Sequence, residues 1–247
     1  MISKNQLKYI HQLEQKKYRR REGLFVAEGT KVVGDLLMHY QPKALYATQD
    51  WDAPQGLPVT IVTPEELQHI SFQQHPQQVL ALFPIPERPT SAINQGTLSL
   101  ALDGVQDPGN LGTIIRIADW FGIEDIYCSE DTVDAWNPKV VQATMGSIAR
   151  VNIIYLNLSE MIDALPSSFP VYGTFLDGDN VYQQPLSENG LIIMGNEGNG
   201  ISEAVRSRIN RRLLIPSFRR GDTAESLNVA IATAITCSEF KRRNYSL

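Results

Sequence analysis

Three stretches of the 247-residue chain combine glycine, amide, hydroxyl and charged side chains at spacings that suit a binding or catalytic site. In LIIMGNEGNGIS, residues 191–202, an apolar run ends in a glycine turn carrying Asn196, Glu197 and Asn199 before Ser202 opens a helix. Its G-x-x-G-x-G order differs from the dinucleotide G-x-G-x-x-G, and no Lys-Ser or Lys-Thr pair follows, so neither a dinucleotide nor a triphosphate fits. A carboxylate within the turn repels phosphate and favours a hydroxyl, an amine or a cationic centre. In LDGVQDPGNLGTIIRIADWFG, residues 102–122, Asp107-Pro108-Gly109-Asn110 reads as a turn and cap with Asn110 as N-cap of a helix from Leu111, closed by Gly122. Leu111, Ile114, Ile115, Ala118 and Phe121 share a core face, while Arg116 points elsewhere, either over the strand-end crevice or into an ion pair with Asp119. In the third stretch, Ser226-Leu227-Asn228 heads an Ala-rich helix whose free backbone N–H groups can grip a polar molecule or simply be capped by Ser226.

These residues need a scaffold, and the pattern from Leu98 onward supplies one. LSLAL, IYC, VNIIYL, VYGTFL, LIIM and RLLIP read as strands, alternating with helices from Leu111, Pro138, near Ser159, Ser202 and about Glu225 to Lys241. Repeated βα units with apolar strands predict a parallel sheet covered on both faces, with ligands outside the carboxyl ends of the strands. Upstream, LKYIHQLEQKKYRRR suits a helix, and residues 22–88 read as a small α/β module. Pro84, Pro86 and Pro89 introduce a polar linker, so the expected division is a basic helix at 1–21, a module at 22–88, a linker at 89–97 and a larger α/β domain at 98–247.

Composition bounds the partners and the chemistry. Residues 1–21 carry seven Lys and Arg against Glu14 alone, a charge of +6, while the remainder holds 15 Lys and Arg against 26 Asp and Glu, a charge of −11. One end of the chain is therefore suited to phosphates, or to a solvated basic helix face, despite the net charge of −5. His11, His39, His69 and His75 all precede the larger domain, which excludes a Ser-His-Asp triad and a histidine metal site there. Cys128 and Cys237 are too few for a disulfide framework and read as core thiols in a reducing compartment. No signal peptide and no membrane-spanning run is read in the chain, so a cytoplasmic location is expected.

DGVQDPGNLGTIIRIADWFG, LIIMGNEGNGIS and LLIP...ESLNVAIATAI resemble, in order, the three motifs of the SpoU (TrmH) family of RNA ribose 2′-O-methyltransferases. Residues 22–83 are similar to the ribosomal-protein-like substrate-binding domain often placed before them. The resemblance implies S-adenosylmethionine as methyl donor, no metal, a homodimer, and a C-terminal α/β-knot (SPOUT-type) domain threaded into a deep trefoil knot. It places Asn110, Arg116, Glu197, Ser226 and Asn228 in the catalytic set. Gly195, Ile215 and Leu227, together with Thr174, Asn196 and Gly198, fall at donor-binding positions, the glycine turn lying close to the donor for want of Cβ atoms. Arg116 then acts either as the family's proposed base or, since guanidinium stays charged, as an oxyanion stabiliser or hydroxyl-orienting group.

The basic residues Lys16, Lys17, Arg19, Arg20 and Arg21 are expected to dock RNA, ribosomal RNA ahead of transfer RNA by analogy with relatives of this two-domain build. The alternatives are a non-catalytic RNA-binding assembly factor and a small-molecule methyltransferase; five intact motif residues weigh against the first and the basic arm against the second. The loop SFRRGDTAE is a few residues longer than the family's usual connection, which leaves the parts of Thr223 and Glu225 open and allows Arg219 and Arg220 to touch RNA.

Overall fold

The computed structural model describes residues 2–87, 93–219, 221 and 225–244. It divides into two compact units, residues 1–87 with 134–149, and 88–133 with 150–247.

In the first unit the basic N-terminal stretch forms two helices, α1 (Lys4–Gln12) and α2 (Lys16–Glu22), where a continuous one was expected. The break falls at Gln15, whose extended backbone precedes α2, while Ser3 and Gln6 cap α1 reciprocally. There follow β1 (Leu24–Glu28), α3 (Thr30–Leu37), β2 (Ala44–Ala47), β3 (Thr60–Ile61), α4 (Pro64–Ile70) and β4 (Val79–Pro84). The sheet order is β1-β4-β2-β3, with β4 antiparallel to both neighbours and β2 parallel to β3. Ile10, Leu13, Val26, Leu67, Ile70 and Leu80 pack its core.

The second unit opens with β5 (Leu98–Asp103), α5 (Pro108–Trp120) and β6 (Asp125–Cys128). The chain then lends α6 (Pro138–Ala143) to the first unit and returns through β7 (Asn152–Tyr155), α7 (Leu158–Asp163), β8 (Val171–Asn180), β9 (Gly190–Gly195), α8 (Glu203–Arg206), β10 (Arg211–Leu214) and α9 (Val229–Asn244). All five strand pairings of the β10-β8-β9-β5-β6-β7 sheet are parallel. Its central strands β5 and β9 are buried along nearly their whole length, as strands covered on both faces must be. Cys128 and Cys237 are both buried and free, and burial pushes both thiols up.

Residues 134–149 complete the first unit. The Trp136 ring lies 4.7 Å from that of Phe25 on β1, and Asp134 meets Arg19. Arg19, grouped in the sequence with the RNA-facing cations, is only 1% exposed. Its Nη1 donates to the carbonyls of Leu13 (2.8 Å) and Glu14 (2.6 Å), its Nε donates to Asp134 Oδ2 at 3.0 Å and its Nη2 to the same oxygen, so every nitrogen of its fork is engaged inside the unit. Lys17, Arg20 and Arg21 are exposed, and Lys17 and Arg21 both lie 4.8 Å from the centre of the Tyr18 ring.

Removing one partner of such a pair leaves the other buried and uncompensated. Arg19→Met is expected to lower unfolding stability by about 3 kcal/mol in urea denaturation, whereas Lys17→Met changes it by no more than about 0.5 kcal/mol; similar small effects for both would refute the structural role of Arg19.

Candidate active site

Strands β5 and β9 run in register until Asp103 stands opposite Gly195 at their carboxyl ends. The strand order reverses direction between them, and open parallel sheets leave a crevice at such a switch point. The lead into α5 and the glycine turn therefore leave the sheet side by side.

The turn is closed on itself. Asn196 and Gly200 exchange two backbone hydrogen bonds of 2.9 and 3.0 Å. The Asn196 side-chain Oδ1 accepts from the N–H groups of Gly198 (2.9 Å) and Asn199 (3.0 Å), and its side-chain Nδ2 donates to the Gly104 carbonyl at 2.6 Å. At the far end the Ser202 N–H donates to the buried Asp103 carboxylate at 2.7 Å. A Cβ on Gly195 would fall 2.3 Å from Gly200 C and 2.4 Å from Ile201 N, so glycine is demanded there by the turn's own backbone, with no ligand needed to explain it.

Glu197 points at the head of α5. Its carboxylate accepts from the N–H groups of Gln106 and Asp107, both at 3.3 Å, and from the Asn110 amide at 2.9 Å. Partial burial pushes the Glu197 carboxyl up, but these donors outweigh it and hold the group below the ordinary glutamate range. Asn110 is free for this contact because it is not the N-cap: Asp107 caps α5, accepting from the Asn110 N–H at 2.8 Å, which moves the helix start back to Pro108. The Asn110 carbonyl in turn accepts from the Asn228 amide at 2.9 Å. Asn228, and not Ser226, caps α9, accepting from the N–H groups of Ala230 (2.9 Å) and Ile231 (3.3 Å). Asn228, Asn110 and Glu197 thus form one hydrogen-bonded chain.

A cleft of about 620 Å³ opens beside this chain. Thr174, Gly195, Asn196, Glu197, Gly198, Ile215, Ser226, Leu227 and Asn228 all line it, with Met194 and Ala232 adding apolar surface. Asn110 is linked to the cleft through Glu197 and Asn228, while Arg116 is exposed on α5 and outside the lining. The Asp119 carboxylate three residues beyond Arg116 is gripped in bidentate fashion by Arg150 at 2.7–3.0 Å. Arg219 is exposed, whereas Arg220 and Thr223 lie outside the described residues.

One wall of the cleft had little signal in the sequence beyond Thr174. On β8, Gly173 pairs with Arg212 and Asp179 with Leu213, so residues 174–178 bulge out of the ladder and carry Phe175, Leu176 and Asp177 into the cleft. Gly178 permits this, since a Cβ there would meet the Leu213 backbone at 2.6 Å. Among the described residues no group of three or more His, Cys, Asp or Glu is placed to hold a metal ion, and no helix is long and apolar enough to cross a membrane.

Residues 97–238 match the model of the SpoU rRNA Methylase family, and residues 4–81 match the MRM3-like substrate binding domain. The chain is 32% identical to a 23S rRNA (guanosine(2553)-2'-O)-methyltransferase of Bacillus subtilis, over 94% of this chain and 95% of the relative. A TrmH-family structure from Porphyromonas gingivalis superposes with a TM-score of 0.88 at 43% identity, covering 98% of this chain and 99% of that one. An AdoMet-bound rRNA methyltransferase from Sinorhizobium meliloti gives 0.85 at 31%, covering 100% and 98%.

Titration of Glu197 reports on the hydrogen bond that Asn110 gives it. Side-chain carbonyl carbon-13 NMR should place its midpoint below that of a model glutamate, and Asn110→Ala should raise it toward the ordinary value. Because the folded-state value is depressed, the contact contributes fully above the ordinary glutamate pKa and fades as pH falls through the folded-state midpoint. An unchanged midpoint in Asn110→Ala would show that the chain does not hold in solution.

Proposed function

Because the chain belongs to the SpoU rRNA methylase family, we propose that it transfers the methyl group of S-adenosylmethionine to a ribose 2′-hydroxyl of ribosomal RNA in the cytoplasm. The observation that carries this reading is the convergence of Asn110, Glu197 and Asn228, from three remote segments, at the edge of one cleft.

The lining residues fit the donor. The cleft volume lies in the usual range for a cofactor of that size, Met194, Ile215, Leu227 and Ala232 offer apolar surface to a purine, and Glu225 offers negative charge to a cationic ligand. When bound, S-adenosylmethionine supplies a sulfonium-activated methyl group for in-line displacement. Gly195, Ile215 and Leu227 present the cleft wall, with Thr174, Asn196, Gly198 and Ser226 around it, and Asn196 keeps the turn in shape. Asn228 and Glu197 fix the Asn110 amide, so a hydroxyl delivered to this edge meets oriented dipoles at no reorganisation cost. Arg116, exposed on the same helix as Asn110, is free to meet an incoming RNA phosphate or the developing alkoxide. A guanidinium that stays charged suits stabilisation of the oxyanion better than proton abstraction.

The first unit supplies the RNA-facing charge in this reading, through Lys16, Lys17, Arg20 and Arg21 with the Tyr18 ring among them. Arg219, in the loop after β10, is a further exposed cation on the second unit. Family membership also supports a homodimer and a trefoil-knotted catalytic domain.

Mapping ribose 2′-O-methyl groups in total RNA from cells with and without the gene tests the proposal; one ribosomal position should disappear, and loss of a transfer RNA position or of none would overturn it. Arg116→Ala is expected to reduce methyl transfer by about 100-fold or more while donor affinity stays within about 2-fold, in single-turnover and calorimetric assays; near-normal transfer by the folded variant would remove Arg116 from the mechanism. Replacing Lys16, Lys17, Arg20 and Arg21 by Gln should flatten the slope of log affinity for RNA against log salt by up to about 3 and leave donor binding untouched. A slope that does not change excludes this face from RNA contact.

A further inference from the structure

The donor cleft has an uneven distribution of charge. Its lining residues include the acidic Asp177, Glu197 and Glu225, and among the described residues Arg206 is the one basic residue. Glu197 is already bound to the head of α5. S-adenosylmethionine carries two cationic groups, the sulfonium and the α-ammonium, and a single anionic one, the α-carboxylate. The anionic group has one basic residue of that lining available to it, Arg206.

Arg206 is poised for this contact. Its guanidinium lies over one side of the Phe175 ring, 4.8 Å from the ring centre, while Arg212 lies 4.1 Å from it. The β8 bulge brings Phe175 and Asp177 to the cleft, so the ring lies beside the Arg206 guanidinium there. Asp177 is held by Arg212 at 2.6 Å, but reaches Arg206 only at 3.4 Å, the outer limit of a hydrogen bond. Its charge is therefore largely answered by Arg212, and the Arg206 side chain, 38% exposed, keeps donors available to a ligand.

We infer that Arg206 is a specificity-determining residue that recognises the carboxylate at the amino-acid end of the methyl donor, with Phe175 stacked against it as a support and Arg212 neutralising Asp177. This assignment rests on the methyl-donor reading given above.

Calorimetric titration of the full chain with S-adenosylmethionine and with decarboxylated S-adenosylmethionine isolates the contact, since the two ligands differ only in the carboxylate. Wild-type protein is expected to prefer the carboxylated ligand by about 10-fold or more, the usual scale of a charge-assisted hydrogen bond. Arg206→Met keeps an unbranched stem beside Phe175 and should bring the preference to within about 2-fold by weakening the carboxylated ligand alone. Arg206→Lys, with a point charge in place of the fork, should retain part of it. Equal weakening of both ligands in Arg206→Met, or an unchanged preference, overturns the assignment. Equal affinity of wild-type protein for both ligands overturns it too, while leaving the methyl-donor reading intact. Binding of neither ligand by wild-type protein overturns that reading, and the assignment with it.

Discussion

Two side-chain hydrogen bonds, each 2.9 Å long, hold the site together: Asn228 to Asn110, and Asn110 to Glu197. They join positions 118 and 87 residues apart in the chain. The direction of the chain is also determined. A carboxylate can only accept, so the Asn110 amide must face Glu197; the Asn228 carbonyl is occupied by the head of α9, so its amide must face Asn110. The remaining Asn110 carbonyl receives it. An aspartate at position 110 would present oxygen to oxygen at the Glu197 end, so the amide is required for its two-sidedness and not merely for its polarity.

The arginines of this protein divide by what surrounds them, and a count of charge cannot separate the classes. Arg19 is a structural cation, consumed by two carbonyls and a carboxylate within its unit. Arg150 and Arg208 form paired forks on Asp119 and Asp163, where solvent screening leaves each pair of little energetic weight. Arg206 and Arg212 share Phe175 and Asp177, and the unequal sharing is what leaves Arg206 available. Arg116 and Arg219 are exposed. The segregated positive charge of residues 1–21 is thus smaller as seen by a partner than as summed along the sequence.

The βα alternation from Leu98 was legible because buried parallel strands are continuous apolar runs, and LSLAL and LIIM became β5 and β9 at the centre of the sheet. The glycine turn, Asn110 and Asn228 could be picked out by residue type and motif. What local pattern could not supply was how their side chains are used. Asp107 and Asn110 are both good caps, and only the proline at 108, which prefers the first helical position, separates them. Ser226 is as good a cap as Asn228 in sequence, but Asn228 stands at the start of the helix and is also held by Asn110. The bulge at 174–178 depends on a register shift against β10, which is set by pairing between distant strands and leaves only Gly178 as a local trace.

Residues 134–149 return to the first unit after β5, α5 and β6 have been laid down in the second. Neither unit is therefore a contiguous stretch of the gene. A fragment ending in the proline-rich linker would carry β1 without Trp136 beside Phe25, and Arg19 without its carboxylate. Such a fragment keeps a buried cation with no counter-ion and an aromatic face open to water. The two units are thus interleaved along the sequence, and recombination at the linker, which looks like the natural seam, would cut the first unit away from part of its own interior.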